Sequence, residues 1–158
     1  YKGDVTQLLA RPWDLIIAHP PCTRLTLAGV RWLHERDLWG ELDTACDFFR
    51  QFLNQSCPFA VENPKPHRYA VQRIGRSYDQ KLQPSQFGEL QSKGICLWLN
   101  DLPPLVPTWD RTEEMKALPK SETHKVHRMG PGPERAKARS RFFPGVAEAM
   151  AKQWGALI

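Results

Sequence analysis

Trp13-Asp14-Leu15-Ile16-Ile17-Ala18-His19-Pro20-Pro21-Cys22 passes from an apolar run straight into a Pro-Pro turn with a thiol behind it. A short apolar run closed by a turn signal reads as a buried β-strand, here over residues 14–18. Proline fixes its own φ and pushes the preceding residue toward extended backbone, so the strand must stop and the thiol is held on a stiff turn. About forty residues further on, a second apolar run, Phe59-Ala60-Val61, ends in Glu62-Asn63-Pro64. Two strand ends, one with a thiol and one with a carboxylate beside an amide, would share one edge of a sheet. That is the edge at which open α/β sheets place their chemistry.

Outward from these runs, Leu42, Ala45, Cys46, Phe49, Phe52 and Leu53 recur at helical spacing and predict a helix over 41–55. A short strand is expected over 2–5, a short helix over 66–74 stopped by Gly75, and a strand over 94–99. Pro144 opens a last helix over 144–154, with Val146, Ala147, Met150 and Trp154 inward. Strands alternating with helices predict an α/β fold with a mostly parallel sheet and flanking helices. Residues 102–133, rich in Pro, Gly and charge, are expected to be irregular. No repeat or linker divides the chain. The expected organisation is a single domain, with a sheet core over 1–100, a basic Pro-rich loop segment over 101–141 and a C-terminal helix over 142–158.

A length of 158 residues with 41% apolar composition suits one domain with a real core. No run approaches the ~20 apolar residues of a membrane span, and no signal peptide is visible. Cys22, Cys46, Cys57 and Cys96 show no CxxC spacing and sit beside apolar stretches. They read as free thiols of a reducing, cytoplasmic setting. The chain starts at Tyr1 rather than Met, so it is expected to be incomplete at its N-terminus. Lys and Arg number 22 against 17 Asp and Glu, a net charge of +5. The excess gathers at Lys116, Lys120, Lys125, Arg128, Arg135, Lys137, Arg139 and Arg141, with His124 and His127 among them. Such a segment suits a polyanion, DNA first, because Lys and Arg neutralise phosphates and release counterions.

Cys22 is a candidate nucleophile, since a thiolate is strongly nucleophilic once its surroundings favour it; His19 and Arg24 flank it with positive charge. Glu62 closes an apolar strand, where a lone carboxylate is costly. It is therefore either paired, with His67 or Arg68, or it works as an acid. Asn63 adds a donor and an acceptor. A different reading joins His19-x-x-Cys22 and His124-x-x-His127 into a His/Cys zinc site. Trp109 is the aromatic best placed to stack on a nucleotide, and Gln83-Pro84-Ser85-Gln86-Phe87-Gly88 is either a polar loop facing a base or an ordinary connection.

Over residues 3–64 the order of motifs resembles the cytosine-5 DNA methyltransferases, in particular short phage and prophage proteins. Gly3-Asp4-Val5-Thr6-Gln7 is similar to the family's acidic Gly-Asp strand end, the stretch from Asp14 to Gly29 to its Pro-Cys motif, and Glu62-Asn63-Pro64 to its Glu-Asn-Val motif. Thr23 stands where Gln is usual and Pro64 where Val is usual. Phe143-Pro144-Gly145-Val146 is loosely similar to the final cofactor-side helix.

The resemblance implies a Rossmann-like fold that binds S-adenosylmethionine and acts on a flipped-out cytosine, whose target carbon is inaccessible within the stack. Cys22 would attack C6, Glu62 would hold the base edge at N3, Pro21 would shape the turn and Asn63 would brace it. Asp4 would accept from the cofactor's adenine amino group, with Val5, Pro20 and Thr26 beside it. Arg24, Arg128, Arg139 and Arg141 would meet the nucleic acid. The Gly-rich strand–turn–helix that precedes the Gly-Asp strand in the family does not occur in residues 1–158. Two alternatives accompany this reading. One is an amino-methyltransferase (N4-cytosine or N6-adenine) using the His-Pro-Pro-Cys turn, and the other is a nucleic-acid-binding remnant without catalysis.

Overall fold

In the computed structural model, residues 2–124, 129–130 and 132–158 are described. They form two compact units. One comprises the chain up to Lys81 together with Ile95–Pro104; the other comprises Leu82–Gly94 and Leu105–Ile158.

The first unit is built on a sheet in which β1 (Ile16–Ala18), β2 (Phe59–Asn63), β3 (Gln80–Leu82) and β4 (Ile95–Asn100) lie in the order β1-β2-β4-β3. All five residues of β2 are buried. In β4 only the last residue is partly exposed. Unbroken apolar runs of this kind mark strands covered on both faces. β1 lies at the sheet edge, and its Ile17 remains 41% exposed.

The sheet is mixed. β1 and β2 are parallel, with Ile16 opposite Phe59 and Ala18 opposite Val61. β2 and β4 are antiparallel, with Glu62 opposite Leu97 and Asn63 opposite Cys96. The expected mostly parallel sheet is corrected accordingly. A buried apolar run reads the same in either direction, and the connection through residues 64–94, not the strand itself, reverses β4.

Helices α1 (Thr6–Leu9), α2 (Val30–Glu35), α3 (Trp39–Leu53) and α4 (Arg68–Ile74) complete this unit. The helical stripe of α3 buries Leu42, Cys46, Phe49 and Phe52, and Phe49 meets Trp98 of β4 edge-on at 4.9 Å. Helix α4 stops at Gly75, whose φ of 78° is the left-handed conformation that glycine adopts at least cost. The strand expected over 2–5 is absent. Asp4 Oδ1 accepts the Thr6 N–H at 2.9 Å, a local turn that diverts the chain into α1.

The second unit holds α5 (Thr112–Ala117), α6 (Lys120–Thr123), α7 (Pro133–Ser140) and α8 (Pro144–Trp154). Helix α8 matches its sequence expectation in extent, but Ala149 rather than Ala147 is buried, along with Val146, Met150 and Trp154. Its start is held close to another segment. A Cβ at Gly145 would sit 1.9 Å from the Phe87 carbonyl oxygen, so only glycine fits. Among its described residues, the segment expected to be irregular thus contains two short helices, α5 and α6. Arg111–Glu114 (2.5 Å) and Lys116–Glu113 (2.6 Å) pair around α5 at i,i+3 spacing. No helix among the described residues is long and apolar enough to cross a membrane.

Candidate functional site

Parallel pairing of β1 and β2 brings both sequence motifs to one end of the sheet. Because Ala18 lies opposite Val61, the residues that follow each of them meet. His19 Nδ1 and Glu62 Oε2 are 3.1 Å apart. Asn63 Nδ2 donates to the Pro20 carbonyl at 3.2 Å, so the Pro-Pro turn is pinned to the end of β2 by a side chain. The partner of Glu62 is His19, not the His67 or Arg68 of the alternative reading. The other polar atoms of these two side chains, Glu62 Oε1 and Asn63 Oδ1, are buried without a hydrogen-bond partner. Buried polar groups are normally satisfied, so both atoms are suited to a ligand.

The loop carrying Cys22 is fixed from behind. The Cys22 carbonyl accepts from Leu25 N at 3.1 Å and from Thr26 N at 3.2 Å. His67, almost fully buried, is the main brace. Its Nδ1 accepts the Ala70 N–H at 3.1 Å, capping α4. Nε2 must then carry the proton, and it donates to the Arg24 carbonyl at 2.8 Å. The His67 N–H donates to the Leu25 carbonyl at 3.0 Å, and Thr26 bridges to Pro66. Burial is the largest influence on His67 and pushes its pKa down; Arg73 acts in the same direction, partly offset by the bond to Arg24. One neutral imidazole therefore joins the start of α4 to the Cys22 loop.

Among the four thiols, none of which is in a disulfide, Cys22 is the one suited to chemistry. Burial pushes Cys46 and Cys96 each up to about 11, which keeps them as inert thiols. Cys57 is half-buried, as Cys22 is, but it precedes β2 and so lies at the opposite end of the strand from Glu62, about 17 Å away along five residues of strand.

Beside the His19 turn lies an apolar groove of about 460 Å³, lined among others by Val5, Trp13, Ile17, His19, Pro20 and Pro21. It contains two of the four residues expected around a cofactor, Val5 and Pro20. Asp4 adjoins Val5 in sequence, with its carboxylate turned to Thr6 and its pKa lowered by that bond. Thr26 is buried in the loop beyond Cys22 and does not line the groove.

Of the expected nucleic-acid contacts, Arg24 is half-buried and bonded to Glu41 at 2.8 Å. Arg141 is exposed. Arg128 and the Arg139 side chain lie outside the described residues, as does His127 of the zinc reading. No cluster of three or more His, Cys, Asp or Glu suited to a metal occurs among the described residues. Trp109 is 63% exposed, but its ring is already engaged. The Arg111 guanidinium lies 4.7 Å over it, and Gly88 presses so close that a Cβ would stand 2.8 Å from Cε3. The loop at residues 83–88 is a compact turn, with Ser85 Oγ 3.0 Å from Thr112 Oγ1, as an ordinary connection would be.

Two residues central to this geometry have other partners than the sequence reading assigns them. His19 was noted for its charge near Cys22, whereas its partner is Glu62; the in-register strand ends are the signal that links them. His67 reads from the sequence as part of the helix over 66–74 and as one alternative partner of Glu62, whereas it caps α4 and bonds the Arg24 carbonyl. No family model, curated protein or solved structure matches this chain.

Proposed function

We propose that this protein is a methyltransferase of Rossmann-like architecture that moves a methyl group from S-adenosylmethionine to C5 of cytosine in DNA, with Cys22 as covalent nucleophile and Glu62 as its acid partner. The observation that carries the reading is the meeting of the Pro-Pro-Cys turn with Glu62 and Asn63 at one sheet end, held by the 3.1 Å His19–Glu62 contact and the 3.2 Å Asn63–Pro20 bond.

The roles follow from the chemistry of the groups. Glu62, through its unpartnered Oε1, meets N3 of the base and gives it a proton, which drains electron density from C6. The Cys22 thiolate then forms a bond to C6 and C5 becomes nucleophilic. After methylation a water molecule takes the C5 proton, the C–H electron pair restores the C5–C6 double bond and expels Cys22 Sγ as the thiolate, and the N3 proton returns to Glu62. The stiff turn holds the thiol in place throughout, so little orientation entropy is lost at the moment of reaction.

The groove beside the turn fits the adenine end of the cofactor, since its walls are apolar and one end is formed by Val5, next to Asp4. Bound there, S-adenosylmethionine supplies an electrophilic methyl group. DNA is the proposed partner on the strength of the +5 charge and exposed cations such as Arg141.

The test is nucleoside mass spectrometry of DNA incubated with S-adenosylmethionine and the protein expressed from its complete gene. 5-Methylcytosine is expected. N4-methylcytosine or N6-methyladenine would move the function to the amino-methyltransferases. Bound but unmethylated DNA would favour a binding remnant.

A further inference from the structure

Resting on that reading and deepening it, we propose that His19 is a positioning residue for Glu62, holding one carboxyl oxygen so that the other is presented to the substrate base. The two oxygens of Glu62 are not equivalent. Oε2 lies 3.1 Å from His19 Nδ1, while Oε1 is buried and has no hydrogen-bond partner. A buried carboxyl tethered through one oxygen has its plane fixed, and the untethered oxygen becomes the functional one. His19 is well placed for this. It follows β1 directly, in register with the end of β2, and Pro20 behind it restricts its backbone. Its side chain is 40% exposed against 11% for Glu62, so the less buried imidazole holds the more buried carboxyl.

The proton inventory is simple. With Nδ1–H donating to Oε2, the carboxyl proton resides on Oε1. When that proton passes to N3 of the base, Glu62 becomes a carboxylate, and the Nδ1–H···Oε2 bond becomes charge-assisted and stronger. His19 keeps its proton throughout. The bond therefore stabilises the charged stage more than the resting one, which is the condition for accelerating a step rather than tightening binding. When Cys22 is expelled, the proton returns from N3 to Oε1 and the cycle closes.

The test compares His19→Ala and His19→Asn with wild type in steady-state methylation of cytosine-containing DNA. Asparagine places Nδ2 where the imidazole has Nδ1, and so keeps the donor while losing the ring. His19→Ala is expected to lower kcat about 10- to 100-fold, as misplacement of a reacting group does, with the KM for DNA unchanged. His19→Asn should recover most of that loss. Wild-type kcat in His19→Ala, or equal loss in both variants, overturns the role. A wild type that makes no 5-methylcytosine overturns the methyltransferase reading itself, and the role with it.

Should His19→Ala fail to fold, ¹⁵N NMR of histidine-labelled wild type decides at a pH where the imidazole is neutral. The proton on a neutral imidazole is placed by its hydrogen-bond partners. An Nδ1–H signature for His19 that is lost in Glu62→Ala is expected. An unprotonated Nδ1 overturns the proposal.

Discussion

The proposed chemistry at the Cys22 end of the sheet rests on single side chains, and each makes a separable prediction. Cys22→Ser removes the thiol with little change of volume in a half-buried loop. Circular dichroism should show an intact fold and nucleoside mass spectrometry no methyl transfer; retained transfer would exclude covalent catalysis. Glu62→Gln keeps the shape and the contact to His19 but removes the acid, so turnover should fall strongly, about 100-fold or more, with little change in DNA affinity. Unfolding of that variant would instead make Glu62 structural. His67 connects the site to pH. Its ordinary value of 6.5 is lowered by burial in the fold, so the unfolded chain takes up a proton first as pH falls. The stability His67 provides is complete above about 6.5 and is lost as pH drops from there toward the lower native value. Thermal unfolding between pH 7.5 and 5 should show wild type losing stability faster than His67→Gln, whose amide can still reach the Arg24 carbonyl. Equal slopes would mean that His67 is not the titrating brace.

Elements set the positions of these side chains through close backbone approaches. The 3₁₀ turn Leu27–Gly29 returns the chain against the residue after Cys22, and a Cβ at Gly29 would stand 2.4 Å from the Thr23 carbonyl oxygen. Since backbone must move to accept it, Gly29→Ala should cost about 1–3 kcal/mol by urea unfolding, in the range of overpacked sites, and should lower turnover as the Cys22 loop shifts. Gly40 is the control. It lies in the first turn of α3 with open space around its Cα, so Gly40→Ala should be neutral or should stabilise by up to about 1 kcal/mol through helix propensity. If both variants behave alike, close packing behind the thiol is not what holds the loop.

At the scale of the whole molecule, the net charge of +5 makes an ionic-strength prediction. Three phosphate contacts on duplex DNA would weaken binding about 40-fold between 50 and 200 mM salt. Fluorescence anisotropy of a labelled duplex measures this directly, and affinity that is flat across that range would remove the electrostatic basis for a DNA partner.

Much of the fold was legible because it is written in local periodicity. The apolar runs before Pro20 and Glu62 gave strands, the stripe from Leu42 to Leu53 gave α3, and Pro144 and Gly75 marked helix ends where the structure has them. The diversion at Asp4, the direction of β4 and the burial of Ala149 in place of Ala147 were not legible, since each depends on which surface the segment meets rather than on its own pattern.

The sequence by itself determined that a thiol turn and a carboxylate–amide pair end two apolar strands. Only the tertiary structure decided that His19 is the partner of Glu62 and that neutral His67 braces the loop. Both are contacts between residues 43 positions apart along the chain. Such contacts exist only once strand register and helix placement are fixed, and no local spacing encodes them.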